Sequence, residues 1–249
     1  MSADWDAQRM PLARISGTIF FFVHVPKCGG TSIKHYLESV GNVALDGRGG
    51  KIEWSRCTAD HIHAEIYDRL VPEDFYDYGF ILFRDPVERL KSEFRMFARP
   101  PFRSLNPINW VLSGVARLRG RPIYTYQFLN CRWLVDPDLW AYGALWISRI
   151  MPYRGNNHYR PQVSFWREGL KPFFLQDGLE KVVRWIDEKA QLPEQAGSVP
   201  HEVPRVESQQ RQPRVDNITF SPATERFIRR FYAEDYALID RLRSAEDLS

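Results

Sequence analysis

The stretch from Thr18 to Ser32, TIFFFVHVPKCGGTS, constrains the fold more than any other part of the 249-residue chain. Ile19 to Val23 is an unbroken apolar run of strand length, and its lack of polar alternation calls for cover on both faces, as in a parallel sheet. Pro26 ends the strand. Gly29 and Gly30 permit a tight turn, and Thr31 to Val40 reads as a helix with an apolar stripe at Ile33, Leu37 and Val40. Strand, glycine loop and helix together make a phosphate cradle. Backbone N–H groups and the positive end of the helix dipole converge on one anion, Lys27 adds a charge, and Thr31 and Ser32 add hydroxyl donors. The fold class expected is α/β, a parallel sheet flanked by helices with a P-loop-like anion-binding loop.

The nucleoside-triphosphate version of such a loop reads GxxxxGK[ST], with the lysine after the glycines and a hydroxyl that holds magnesium. Here Lys27 precedes Gly29 and Gly30, so the loop is of another kind and requires no metal. The string HVPKCGGTS resembles the 5′-phosphosulfate loop of sulfotransferases, in particular the carbohydrate type that includes the heparan sulfate 2-O- and 6-O-sulfotransferases, whose pattern is close to PKTGGTS. Cys28 stands where threonine is usual, which gives up one hydroxyl contact and keeps the backbone contacts. The resemblance implies that Pro26, Lys27, Cys28, Gly29, Gly30, Thr31 and Ser32 bind the donor 3′-phosphoadenosine 5′-phosphosulfate (PAPS).

Residues 79 to 99, GFILFRDPVERLKSEFRMFAR, form the second strong element. Phe80 to Phe83 is another buried-strand run. Asp85, Pro86 and Glu88 give an N-cap, a first-turn proline and a capping box, followed by a helical stripe at Val87, Leu90, Phe94 and Phe97. Arg84 thus falls at the carboxyl end of a parallel strand, where ligands of open α/β sheets bind, with Ser92 in the adjoining helix. An arginine fork plus a hydroxyl suits a phosphate. Arg84 and Ser92 keep the eight-residue spacing of the resembling family's 3′-phosphate motif.

Between these elements, TADHIHAEIYDRLV (58 to 71) reads as a polar lead-in and a short helix, with Asp60 as N-cap and Ile62, Ile66 and Leu70 on one side. In the resembling enzymes a histidine in this interval is the general base that takes the acceptor hydroxyl's proton, a task suited to imidazole, whose ordinary pKa is about 6.5. The family pattern favours His61, with His63 as the alternative. An H-x-H pair also occurs as mere helix-start structure or as a metal site. No third ligand stands nearby in the sequence, and no metal is expected.

The 34 basic and 31 acidic residues nearly cancel, so composition gives no argument for nucleic acid. Three cysteines, Cys28, Cys57 and Cys131, are odd in number and lack metal-type spacing, which favours a reducing compartment. Neither a signal peptide nor a membrane span is visible. Eukaryotic Golgi members of the family carry an N-terminal anchor, and its absence implies a cytoplasmic, bacterial version. The chain is expected to be one domain, 1–249, with a polar arm at 1–16 and a long loop at 192–217.

Elsewhere the signals are weaker. Gly41 to Gly50 reads as a loop, Trp54 and Cys57 are candidates to border the acceptor site, and Thr125 to Leu134 reads as helical. Trp110, Trp133, Trp140 and Trp146 fit core and lid packing better than sugar stacking. NNHYRPQ resembles a bacterial family pattern through His158, Arg160 and Gln162, with acceptor binding or loop ordering as the implied role. Pro172 to Leu175 reads as a strand before a helix boxed by Asp177 and Glu180, and a last helix runs from an N-cap at Ser221 to Leu242, along Phe227, Phe231, Leu238 and Leu242.

The function so implied is transfer of a sulfuryl group from PAPS to an acceptor hydroxyl, on a carbohydrate by resemblance. His61 or His63 would be the base, and Lys27 would neutralise the leaving phosphate. A kinase-like phosphotransferase and a non-catalytic nucleotide-binding protein are the alternatives. Acceptor identity and oligomeric state are open.

Overall fold

The computed structural model describes residues 12–44, 57–102, 105–128, 131–153, 155–192 and 217–246. In chain order these form β1 (Leu12–Ile15), β2 (Thr18–Val23), α1 (Gly30–Val40), β3 (Asn42–Ala44), α2 (Ala64–Leu70), β4 (Tyr78–Phe83), α3 (Pro86–Phe97), α4 (Pro107–Leu118), β5 (Tyr124–Phe128), β6 (Cys131–Val135), α5 (Pro137–Ile150), β7 (Lys171–Phe174), α6 (Glu180–Lys189), α7 (Pro222–Phe231) and α8 (Ala233–Glu246). They fall into two compact units. The first takes the described residues up to Arg84, from Tyr153 to Leu192, and from Ala237 onward, and the second takes the rest.

The first unit is α/β, built on a sheet ordered β3-β1-β2-β4-β7. β2, β4 and β7 run parallel, with Phe22 opposite Phe80 and Leu82 opposite Phe173. The sheet is nevertheless mixed, because β1 is antiparallel to both β2 and β3. The expected polar arm therefore ends in a strand: Leu12, Ala13 and Ile15 are buried, and Ser16 and Gly17, at φ 49° and 93°, form the two-residue turn that matches hairpin twist.

Both faces of the central strands are covered, as their unbroken apolar run required. Phe20 and Phe80 meet Trp185 of α6, with ring centroids 6.0 and 5.6 Å away, while Phe21 turns to Tyr67 of α2 at 5.4 Å. Each buried Phe contributes about 2–3 kcal/mol of transfer free energy. Leu238, Ile239 and Leu242 of α8 pack against the same core.

Three local expectations for this unit are corrected. Asp60 does not cap a helix: Ala59–His61 is a 3₁₀ turn, Ile62 is extended (φ −69°, ψ 142°), and α2 starts at Ala64 with His63 at the cap position. Leu70, expected in the apolar stripe, is exposed, and the buried helix position is Tyr67, whose hydroxyl donates to the Phe165 carbonyl at 2.5 Å. Asp177 and Glu180 form no capping box. Leu179 occupies the cap position, and the Asp177 carboxylate accepts from Arg243 at 3.0 Å instead. The 192–217 loop and Trp54 lie almost wholly, and Trp54 entirely, outside the described residues.

In the second unit Phe94 of α3 is the hub, stacked on Tyr126 at 5.8 Å and edge-on to Trp140 at 4.9 Å. The cap on α3 is as expected, with Asp85 Oδ1 accepting from Glu88 N at 3.0 Å. Thr125 to Leu134 is not helical. β5 and β6 pair antiparallel with Tyr126 opposite Trp133, which suits the aromatic and β-branched alternation of YTYQF. The last helix is two helices broken at Tyr232 (φ −104°, ψ 31°), and Thr224, Ile228 and Tyr232 rather than Phe227 and Phe231 are buried. Ser221 caps α7 as expected, through Thr224 N at 3.3 Å. No helix among the described residues is long and apolar enough to cross a membrane.

Candidate functional site

The site is built in the first unit where β2 and β4 end side by side. After Val23 the chain runs through His24, Val25, Pro26, Lys27, Cys28 and Gly29 before α1 starts at Gly30. Gly29 holds φ 86°, and Lys27 holds φ 69°, an uncommon backbone for a residue with a side chain that costs of order 1–2 kcal/mol. Ser32 and Ile33 N–H groups donate to the Gly29 carbonyl at 3.1 and 3.4 Å. The first turn of α1 has no acidic residue and no side-chain cap, so neither offsets the positive end of its dipole. Gly30 is dictated by packing: a Cβ there would sit 2.0 Å from His24 Cδ2.

Cys28 points inward. Its thiol donates to Gln162 Oε1 at 3.3 Å, and the residue is almost fully buried. Gln162, fully buried, also accepts from Arg84 N at 3.0 Å and donates to the Arg84 carbonyl at 2.8 Å. One glutamine amide thus ties the end of β4 to the loop after β2. The Arg84 guanidinium closes the triangle by donating to the Lys27 carbonyl at 3.1 Å.

Beside the loop lie three imidazoles in a row. The His24 and His61 rings are 4.9 Å apart, and those of His61 and His158 are 5.1 Å apart, both edge-on. Asp60 Oδ2 stands 4.0 Å from His24 Nδ1 and 3.9 Å from His61 Nε2, and its Oδ1 is buried without a hydrogen-bond partner. Asn156 fixes the His61 tautomer. Its Oδ1 accepts from Thr58 N at 2.6 Å, which orients the amide so that Nδ2 faces His61 Nδ1 at 2.7 Å. An NH2 group can only donate, so Nδ1 is the acceptor and the neutral ring carries its proton on Nε2. Asn157 treats His63 alike: Oδ1 accepts from Arg160 Nε at 3.2 Å, and Nδ2 faces His63 Nδ1 at 3.4 Å.

Among the described residues, His24, Asp60 and His61 form the group whose ligand atoms come within 4.8 Å of one another. A cation on His61 Nε2 would have to displace its proton while Nδ1 still accepts from Asn156, leaving an imidazolate. The network therefore favours an N–H donor at His61 over a metal ligand.

Burial lowers the His24 pKa to about 4, with Asp60 opposing the shift and the charges of His158, Lys34 and Lys27 adding to it. The unfolded chain, with an ordinary imidazole near pH 6.5, binds the extra proton first. Stability is therefore expected to be full above about pH 6.5 and to fall as pH drops toward about 4. Denaturant unfolding over that range should show a shallower slope for His24→Gln than for the native chain.

Set against family models, curated proteins and solved structures, the chain matches none.

Of the residues expected to act, the first unit brings together Lys27, Cys28, Gly29, Gly30, Thr31, Ser32, Arg84, His61, His158 and Gln162. Pro26 is buried within the loop. His63 is almost fully buried, linked to the His61 carbonyl through Asn157 Nδ2, with Nε2 3.6 Å from Glu65, and its pKa is lowered by desolvation and by Arg160. Arg160 lies over the Tyr153 ring at 5.2 Å. Ser92 is carried by α3 in the second unit. Sequence reasoning passed over His24, Asn156 and Asn157. The consecutive asparagines were the signal for the last two, since both adopt left-handed φ, 55° and 63°, which asparagine tolerates better than most residues.

Proposed function

We propose that the chain transfers a sulfuryl group from PAPS to an acceptor hydroxyl, a sugar hydroxyl by the sulfotransferase resemblance. The observation that carries this reading is the convergence, at the ends of two adjacent parallel strands, of a helix N-terminus with no acidic residue in its first turn, Lys27 held in a left-handed backbone, Arg84 tied to the same loop, and an imidazole cluster.

In this reading the amides of the Lys27–Ser32 loop and the α1 dipole hold the 5′-phosphosulfate, and Arg84 recognises the 3′-phosphate that distinguishes PAPS from ATP. The acceptor oxygen attacks sulfur as the sulfur–oxygen bond to the 5′-phosphate breaks. The leaving group is adenosine 3′,5′-bisphosphate, Lys27 offsets the charge growing on it, and the acceptor's proton passes to His61. At rest His61 carries its one proton on Nε2, so acting as base there requires the Asn156 amide to turn its oxygen toward the ring and the ring to carry that proton on Nδ1 instead, which frees the Nε2 lone pair. That resting state favours a second reading: a protein that binds the nucleotide without turning it over.

Calorimetric titration separates these possibilities from a kinase-like site. Adenosine 3′,5′-bisphosphate is expected to bind without magnesium and ADP to bind at least about tenfold more weakly, with Arg84→Ala losing about 10–100-fold of the bisphosphate affinity. A preference for ADP would overturn the donor assignment. Bisphosphate binding with no release of sulfate or sulfated product from PAPS would select the non-catalytic reading.

A further inference from the structure

Helix α4 is turned inside out. Ile108, Val111, Val115 and Leu118 follow helical spacing along one side, and Ile108, Val111 and Leu118 are 54%, 65% and 91% exposed. The side that faces the protein carries Asn109 and Ala116. Asn109 holds the helix to β6 by polar means: its Nδ2 donates to the Arg132 carbonyl at 3.2 Å, and its Oδ1 accepts from Leu134 N at 3.0 Å. Leu105 before the helix and Trp110 within it are exposed as well, at 92% and 60%. An ordinary surface helix would place these faces the other way round.

The surrounding charge says what fits this surface. From Arg99 to Val135 the sequence contains six arginines, at 99, 103, 117, 119, 121 and 132, and no Asp or Glu. Arg117, Arg119 and Arg132 are exposed. A helix with apolar side chains outward, a tryptophan on its flank and arginines at its end has the composition of one that lies in the plane of a membrane interface. At 12 residues it is about 18 Å long, too short to span and suited to lying flat. Docking a second copy here would set this acid-free, arginine-rich segment against itself. Nucleic acid would engage the arginines and leave Ile108, Val111 and Leu118 in water.

We propose that the outward face of α4 binds the headgroup region of an anionic lipid membrane, with Ile108, Val111 and Leu118 buried among acyl chains and Arg117 and Arg119 on the lipid phosphates. This surface is independent of the donor site and does not rest on the sulfotransferase reading.

The test is flotation of the full chain with vesicles of phosphatidylcholine containing about 30 mol % phosphatidylserine, and with pure phosphatidylcholine, in about 0.1 M salt. The expected result is binding to the anionic vesicles at least about tenfold tighter than to the neutral ones, because each arginine near such a surface contributes about fivefold. Arg117→Gln/Arg119→Gln should lose about tenfold or more on anionic vesicles alone. Ile108→Asn/Val111→Asn/Leu118→Asn should lose about tenfold or more on both, with an unchanged circular dichroism spectrum. A blue shift of tryptophan emission on vesicle addition should shrink in Trp110→Phe, a readout that holds even if the triple variant does not fold. No flotation of the native chain, or equal flotation of the native chain and the arginine variant, would overturn the proposal. So would a concentration-dependent dimer that the triple variant abolishes, with no vesicle binding.

Discussion

Gly30→Ala is expected to destabilise the first unit by about 3 kcal/mol, the upper end for an overpacked site, and to lower Tm by about 6–12 °C. The added methyl would lie 2.0 Å from His24 Cδ2 and 2.1 Å from Nε2, so the ring must move by more than an ångström for the contact to become ordinary. It has little room to do so. His24 is buried, stacked on Phe22 at 5.5 Å and edge-on to His61 at 4.9 Å. The backbone cannot yield cheaply either, because Gly30 opens α1 and the Gly29 carbonyl already accepts from Ser32 and Ile33. A double-mutant cycle isolates the cause: His24→Ala should remove most of the penalty of Gly30→Ala, giving a coupling of about 2 kcal/mol. Additive effects of the two substitutions would mean that the penalty of Gly30→Ala does not come from the histidine.

That coupling also marks the limit of what the sequence makes legible. β2, α1, β4 and α3 are readable because each carries its cause locally: an unbroken Phe-rich run, a helical stripe, or an Asp-Pro cap whose side chain closes on Glu88. β1 is harder to see because its few apolar residues become a strand only by pairing with β2 and β3. β5 and β6 show the opposite case, where the period-two alternation of YTYQF, completed by antiparallel pairing, wins over a helical period across Thr125 to Leu134. The break at Tyr232 lies in a continuous helical pattern and has no glycine or proline to announce it. In the site, the Lys27–Ser32 loop and Arg84 stand out because a short motif carries their chemistry. The hydrogen bonds that orient the imidazoles join Thr58 and His61 to Asn156 and His63 to Asn157, more than 90 residues apart in sequence, and are visible only once the chain is folded.

On the proposed sulfotransferase reading, His61→Ala is expected to lower turnover of PAPS by about 10²–10⁴-fold, the usual worth of a general base, while bisphosphate affinity stays within about twofold. The separation follows from position, since His61 meets the ring of His24 at 4.9 Å, whereas Arg84 bonds the Lys27 carbonyl directly. Asn156→Asp is the sharper test. One carboxylate oxygen can still accept from Thr58 N, as Asn156 Oδ1 does at 2.6 Å, and the other replaces the amide nitrogen that now lies 2.7 Å from His61 Nδ1. A carboxylate can only accept, so the neutral ring must place its proton on Nδ1 and free the Nε2 lone pair. Imidazole nitrogen-15 spectra should therefore show a proton on Nε2 in the native chain and on Nδ1 in Asn156→Asp, and turnover should rise by about threefold or more if the amide's turn limits the rate. Asn156→Ala leaves the Thr58 hydroxyl, 3.4 Å from Nδ1 and able to donate or accept, and should fall between the two. An unchanged tautomer in Asn156→Asp would remove Asn156 as a positioning residue. Undiminished turnover in His61→Ala would move the base to His63 if His63→Ala then proves inactive, and would refute a histidine base at either position if it does not.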